Sequence, residues 1–152
     1  MFETIVWATD GSELADRALP LVTELARAHG SKIVAVHANE LLGGRFGGAP
    51  LRADEPDVRE RIEQQVAELK AEGFDTELKV MSGTAEIAEL IAHAAADVDA
   101  DLIVVGTHGR GGFTSAVLGS VARGLLHWSR CPVLAIPPAR ETVEASEQAT
   151  VA

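Results

Sequence analysis

Leu102-Ile103-Val104-Val105-Gly106-Thr107-His108-Gly109-Arg110-Gly111-Gly112 sets four consecutive apolar residues directly against a glycine-rich loop. An apolar run this short, without alternation, suits a strand of a parallel sheet that is buried on both faces. Glycines lack Cβ, so the loop backbone can take positive φ and bring its N–H groups close to an anion. Further on, Gly119-Ser120 opens a segment in which Val121, Ala122, Leu125 and Leu126 recur at helical spacing. A helix start adds N–H donors without intrahelical partners and a partial positive charge, and Ser120 is suited either to cap it or to turn its hydroxyl towards a phosphate.

Upstream, the same alternation of strand and helix signals recurs. Phe2 to Ala8 carries Ile5-Val6-Trp7-Ala8, a buried first strand ended by the turn signal Asp10-Gly11, which places Asp10 just past its carboxyl end. Ser12 is the expected cap of a helix whose Ala15, Ala18, Leu19, Val22, Leu25 and Ala26 run to Gly30, with a local kink at Pro20. Ile33 to Ala38 reads as a second strand. Leu41 to Pro56, with Gly43-Gly44, Gly47-Gly48 and Pro50, reads as a long surface loop, either a lid over a site or a tolerated insertion. Val58, Ile62, Val66 and Leu69 mark an amphipathic helix with a solvated Glu/Arg-rich face. Phe74 to Val80 alternates as a half-exposed third strand at a sheet edge, and Ile87, Leu90, Ile91 and Ala94 define another helix. Pro132 to Ile136 is the last strand, before Pro137-Pro138 and a polar tail expected to be disordered over 139–152.

Five strands alternating with four helices predict a single α/β domain over 1–138, an open twisted parallel sheet with helices on both faces. Ligands of such sheets sit beyond the carboxyl ends of the strands, where the strand order reverses. Asp10, the His37-Ala38 strand end and the loop at Gly106 are expected to converge there.

Charge narrows the function classes. The 152 residues carry a formal net charge of −10, which argues against nucleic acid or an anionic membrane as partner. The stretch from Leu102 to Arg140 nevertheless holds no Asp or Glu and four arginines, Arg110, Arg123, Arg130 and Arg140, a formal +4. An acid-free glycine-rich segment is what an anion site needs. No apolar stretch approaches the roughly 20 residues of a membrane helix, and no signal segment opens the chain, so the expected compartment is the cytoplasm. The single cysteine, Cys131, excludes an intrachain disulfide and reads as packing at a strand start.

Written as G-x2-G-x9-G-S, Gly106, Gly109, Gly119 and Ser120 reproduce the nucleotide-binding signature of the ATP-binding universal stress proteins, and the chain resembles that family over nearly its whole length. Ile5-Val6-Trp7-Ala8-Thr9-Asp10-Gly11-Ser12 is similar to the family's opening strand and acidic turn, with Trp7 bulkier than the small aliphatic expected there. Cys131-Pro132-Val133-Leu134 is similar to its closing strand. The resemblance implies ATP as ligand, alone or with Mg2+. It places Asp10 on the adenine or ribose side and Ala38 in the adenine pocket, with Val105, Gly106, Gly109, Gly119, Ser120 and Val121 around ribose and phosphates. It also implies a homodimer pairing through the last strand. Arg110 is suited to a terminal phosphate or to solvent.

Other chemistries lack their residues. No G-x4-G-K-[ST] supplies a phosphate lysine, so fast hydrolysis is not expected. His108 has no nucleophile or orienting carboxylate beside it and reads as shaping the loop, His37 as a strand-end residue near the site. His29, His93 and His127 fall on separate helices without metal-ligand spacing. A phosphorylated receiver domain needs an Asp after the third strand, where Met81-Ser82 stands. The expected function is therefore a nucleotide-responsive binding module in stress response with slow or no ATP hydrolysis. The alternatives are an ATPase or nucleotidyl-transfer enzyme using the same loop, and a nucleotide-free dimeric interaction protein.

Overall fold

Ile5, Val6 and Trp7 are wholly buried, because the strand that carries them, β1 (Thr4–Ala8), is flanked by strands on both edges and by helices on both faces. The computed structural model describes residues 1–42, 51–52, 56–108 and 118–139. After β1 come α1 (Glu13–Asp16), α2 (Leu19–His29), β2 (Lys32–Leu42), β3 (Leu51–Arg52), α3 (Pro56–Ala71) and β4 (Thr76–Gly83). Then follow α4 (Ile87–Asp97), β5 (Leu102–Gly106), α5 (Ser120–Trp128) and β6 (Val133–Ile136).

The parallel sheet runs β4-β2-β1-β5-β6, with β3 added antiparallel to the far end of β2 through Leu41↔Arg52 and Leu42↔Leu51. The chain leaves β1 in one direction through β2 and β4 and returns on its other side through β5 and β6. The order therefore reverses between β1 and β5, as the α/β reading requires.

Strand parity sorts the core into two layers. Val6, Ala8, Val34, Val36, Ile103 and Val105 face α4 and α5, where Ala88, Ile91, Ala92, Ala95, Ala122 and Leu125 meet them. Ile5, Trp7, Ile33, Ala35, Leu102 and Val104 face the opposite layer, where Val22 and Ala26 of α2 and Ile62 and Val66 of α3 pack. Trp7 is the largest of these side chains, and its Nε1–H donates to the Ala15 carbonyl at 3.2 Å. A buried indole needs such a partner, and its burial contributes on the order of 5 kcal/mol.

Several expectations need correction. Pro20 does not kink a continuous helix: the chain forms two, and Pro20 sits in the first turn of α2, where its missing N–H has no carbonyl to bond. Ser12 caps the short first piece, its Oγ accepting from Ala15 N–H at 3.2 Å, and Gly30 (φ 68) ends the second. β2 runs past Ala38 to Leu42, because β4 pairs with it up to Glu40↔Gly83. Backbone pairing, invisible to hydropathy, continues it through His37, Asn39 and Glu40. Within the Leu41–Pro56 segment, Leu51–Arg52 is strand and Pro56 begins α3; 43–50 and 53–55 lie outside the described residues, as does the tail from 140. The half-exposed edge strand is β4, whose partner is β2. Among the described residues no helix is long and apolar enough to cross a membrane.

At the amino end of the sheet, Asp101 ties β1 to β5. Its carboxylate accepts from Glu3 N–H at 2.7 Å and Thr4 N–H at 2.9 Å, and these two bonds hold its pKa below the ordinary carboxylate value. A depressed folded-state pKa stabilises above the unfolded value of about 3.9 and loses that contribution as pH falls through the folded value. Asp101→Asn is expected to lower Tm at pH 7, with the difference from wild type shrinking as thermal melts are moved below about pH 4.

Candidate functional site

The carboxyl ends of β1, β2 and β5 open on one side of the sheet, and backbone hydrogen bonds fix their approach. Thr9 N–H donates to the Val36 carbonyl at 3.0 Å, extending the β1–β2 ladder by one residue. Beyond it the chain turns through Gly11 at φ 74, a conformation glycine adopts without strain. Thr9 Oγ1 accepts from Gly11 N–H at 3.1 Å and Asp10 Oδ1 from Ser12 N–H at 2.9 Å, so the turn is held by its own side chains. The ring of the buried His37 on β2 reaches across, its Nδ1 lying 3.0 Å from the Thr9 carbonyl oxygen.

Thr107 organises the β5 side. Its N–H donates to the Ile136 carbonyl at 2.9 Å, its own carbonyl accepts from Gly119 N–H at 2.7 Å, and its Oγ1 is hydrogen-bonded to His108 Nδ1 at 2.9 Å. The end of β5 is thereby joined to the end of β6 and to the start of α5. A Cβ on Gly119 would lie 2.7 Å from the Thr107 carbonyl oxygen, and one on Gly106 would lie 3.3 Å from the His108 oxygen and 3.4 Å from that of Leu14 in α1. Close backbone approach requires glycine at 119 and leaves little room at 106, where the β5 end lies against the helix that follows Asp10.

The N-cap of α5 is Gly119, and no side chain caps it. Of the two roles open to Ser120, the cap does not apply: Ser120 is the first helical residue and lies exposed. The amides of the first turn have no carbonyl within the helix to bond and carry the positive end of its dipole.

Most of the predicted site residues come together. Ala38 and Val121 pack on the apolar cluster that holds Ala8, Val36 and Val105, while Gly106, Gly119 and Ser120 border it and Asp10 follows β1 two residues after Ala8. Gly109 and Arg110 lie outside the described residues. Trp7 points away, into the α2/α3 layer, so its bulk does not reach the face that Ala38 and Val105 share. Thr9 and Thr107 were not picked out by the sequence reading; their signal is a threonine immediately beyond the last apolar residue of a central strand. Cavities of about 200 Å³ beside Asp99 and Cys131 and about 380 Å³ beside Ser31 and Phe74 both lie at the opposite, amino ends of the strands. No cluster of metal-ligating side chains occurs among the described residues.

With this geometry in place, comparison with known proteins is decisive on one point. Residues 1–137 match the sequence profile of the universal stress protein family. The chain belongs to the universal stress protein family. A family member from Thermus aquaticus is 34% identical over 145 residues, covering 90% of this chain and 99% of that protein. Among solved structures, a family protein from Burkholderia pseudomallei is 30% identical with a TM-score of 0.67, covering 90% of this chain and 96% of that one. The Archaeoglobus fulgidus universal stress protein, solved in complex with dAMP, is 27% identical with a TM-score of 0.65, over 90% of this chain and 98% of that one.

The position of α5, and with it Gly119 and Ser120 at its start, depends on close packing against α4. A Cβ on Gly124 would stand 2.5 Å from Cβ of Ala88, a contact that neither side chain can relieve by rotating. Gly124→Val is expected to destabilise the fold by about 2 kcal/mol or more through overpacking, measured by urea unfolding.

Proposed function

We propose that the chain is a nucleotide-responsive binding module whose ligand is ATP, held in the crevice between β1 and β5 with slow or no hydrolysis. The observation that carries this reading is the approach of Gly119 to Thr107, which leaves the uncapped start of α5 facing the crevice. Adenine sits against Ala38, with Asp10 on the ribose or adenine side; Val105, Gly106, Gly109, Gly119, Ser120 and Val121 surround ribose and phosphates. Arg110 pairs with the terminal phosphate. The dAMP complex of the Archaeoglobus fulgidus relative supports an adenine nucleotide in this fold.

The first-turn amides of α5 supply donors for a phosphate, and the absence of acidic residues from Leu102 to Arg140 spares the anion any repulsion from that stretch. The sequence from Leu102 to Arg140 offers no lysine for the β- and γ-phosphates. Binding without rapid turnover follows from that chemistry, and the cytoplasm is the compartment that supplies the ligand. Mg2+ enters with the phosphates, since no carboxylate cluster occurs for it among the described residues.

Isothermal titration with Mg-ATP is expected to give micromolar binding. Gly119→Val should weaken it by about a hundredfold, as two amide hydrogen bonds worth roughly 1.4 kcal/mol each are lost. Absence of heat from the folded wild-type chain at several temperatures would overturn the reading in favour of a nucleotide-free interaction protein. Turnover well above a slow background would favour the enzyme.

The same reading includes a homodimer through β6. This strand pairs with β5 on one edge; all four of its residues are half-buried, and Leu126 and Trp128 of the adjoining helix are 63% and 42% exposed. A second copy pairing along Val133–Ile136 would cover an open edge. Light scattering at micromolar concentration is expected to report twice the chain mass, and a monomeric mass would remove the dimer.

A further inference from the structure

We infer that His37 is a positioning residue for the nucleotide site: through the Thr9 carbonyl its ring holds the turn that presents Asp10. The inference rests on the adenine-nucleotide reading above and adds to it a residue that would not touch the ligand.

The β1–β2 register ends at Ala8↔Val36, and Thr9 adds one last ladder bond through its N–H. From that point β1 leaves the sheet, while β2 continues. The His37 ring takes over where the ladder stops, Nδ1 lying 3.0 Å from the Thr9 carbonyl oxygen in a buried contact between residues 28 positions apart. A carbonyl oxygen only accepts, so Nδ1 carries the hydrogen.

Residue Thr9 is thus pinned to β2 through both its N–H and its C=O, and the next bonds in the chain are those of the turn itself. Gly11 N–H goes to Thr9 Oγ1 and Ser12 N–H to Asp10 Oδ1. Release of the Thr9 carbonyl would free the Thr9–Asp10 peptide to rotate, loosening the turn that these bonds hold and moving the Asp10 carboxylate. His37 is 8% exposed and lies in β2 between Val36 and Ala38, whose side chains point to the opposite face of the sheet. An aliphatic residue would leave the Thr9 carbonyl without the donor, and an unmet buried carbonyl is what the turn would move to relieve.

The test compares His37→Leu, His37→Asn, Asp10→Asn and His37→Leu/Asp10→Asn by ATP calorimetry, with hydrogen exchange of the Gly11 and Ser12 amides read by NMR. Asparagine places an amide N–H at the reach of Nδ1. His37→Asn should bind within about threefold of wild type, and His37→Leu about tenfold more weakly, the loss of roughly one hydrogen bond. In His37→Leu the two amides should exchange faster while Tm stays near wild type. If His37 acts through Asp10, the double variant should bind no more weakly than Asp10→Asn alone.

His37→Leu binding as wild type, His37→Asn losing as much as His37→Leu, or losses that multiply in the double variant would each overturn the inference. Should His37→Leu not fold, His37→Gln replaces it, since its amide falls at the reach of Nε2 and misses the carbonyl. If the wild-type chain gives no heat with ATP, the nucleotide reading fails on its own. Amide exchange then decides the clamp separately, and unchanged exchange in His37→Leu overturns it.

Discussion

The burial of β1 on two edges and two faces is the constraint from which the other elements take their places. Pairing with β2 on one side and β5 on the other commits the chain to leave β1, return and cross over it. The alternation of Ile5 and Trp7 with Val6 and Ala8 then assigns α2 and α3 to one layer and α4 and α5 to the other. A strand enclosed in this way has only its ends available for chemistry. The amino end is occupied by the Asp101 carboxylate, which accepts the amides of Glu3 and Thr4. The carboxyl end opens into the turn of Asp10 and Gly11, beside Gly106 at the end of β5.

That end of the sheet is built from backbone proximity more than from reactive side chains. Gly106 lies against α1, Gly119 against Thr107, and Gly124 lets α5 lie close upon α4. At Gly119 and Gly124 a methyl group would push two backbones or helices apart, and at Gly106 it would make a tight contact. The side chains that fix the geometry are small and polar, Thr9 and Thr107, each standing one residue beyond a central strand and each bonded to its neighbours. Backbone amides held at fixed directions in this way are the means by which glycine-rich strand ends meet anions in general.

The parallel sheet, the two-layer core and the meeting of the Asp10 turn with the Gly106 strand end were legible in the sequence, because apolar runs and glycine spacing record burial and close approach directly. What was not legible depended on pairing or on packing between distant elements. The continuation of β2 to Leu42 is set by β4 and β3, and its polar residues gave hydropathy nothing to register. The division at Pro20 was hidden because apolar spacing runs through Ala15, Ala18 and Leu19 without a gap, and Arg17 and Ala18 between α1 and α2 keep helical dihedral angles. Ser120 looked like a cap because its residue type favours one; the bond from Gly119 to Thr107 places the true cap one residue earlier. The contact of His37 with Thr9 joins residues too far apart for any local pattern to show it.

The placement of Trp7 gives the molecule an internal light source. The chain has two tryptophans and no tyrosine, so its ultraviolet emission comes almost entirely from these two indoles. Trp128 is partly exposed on α5, whereas Trp7 has no solvent contact and is bonded to Ala15 in the helix that follows the Asp10 turn. The blue edge of the emission spectrum therefore belongs to the strand at the centre of the sheet and the red edge to the surface beside β6. One unlabelled sample reports on the interior and on the exposed flank at separate wavelengths.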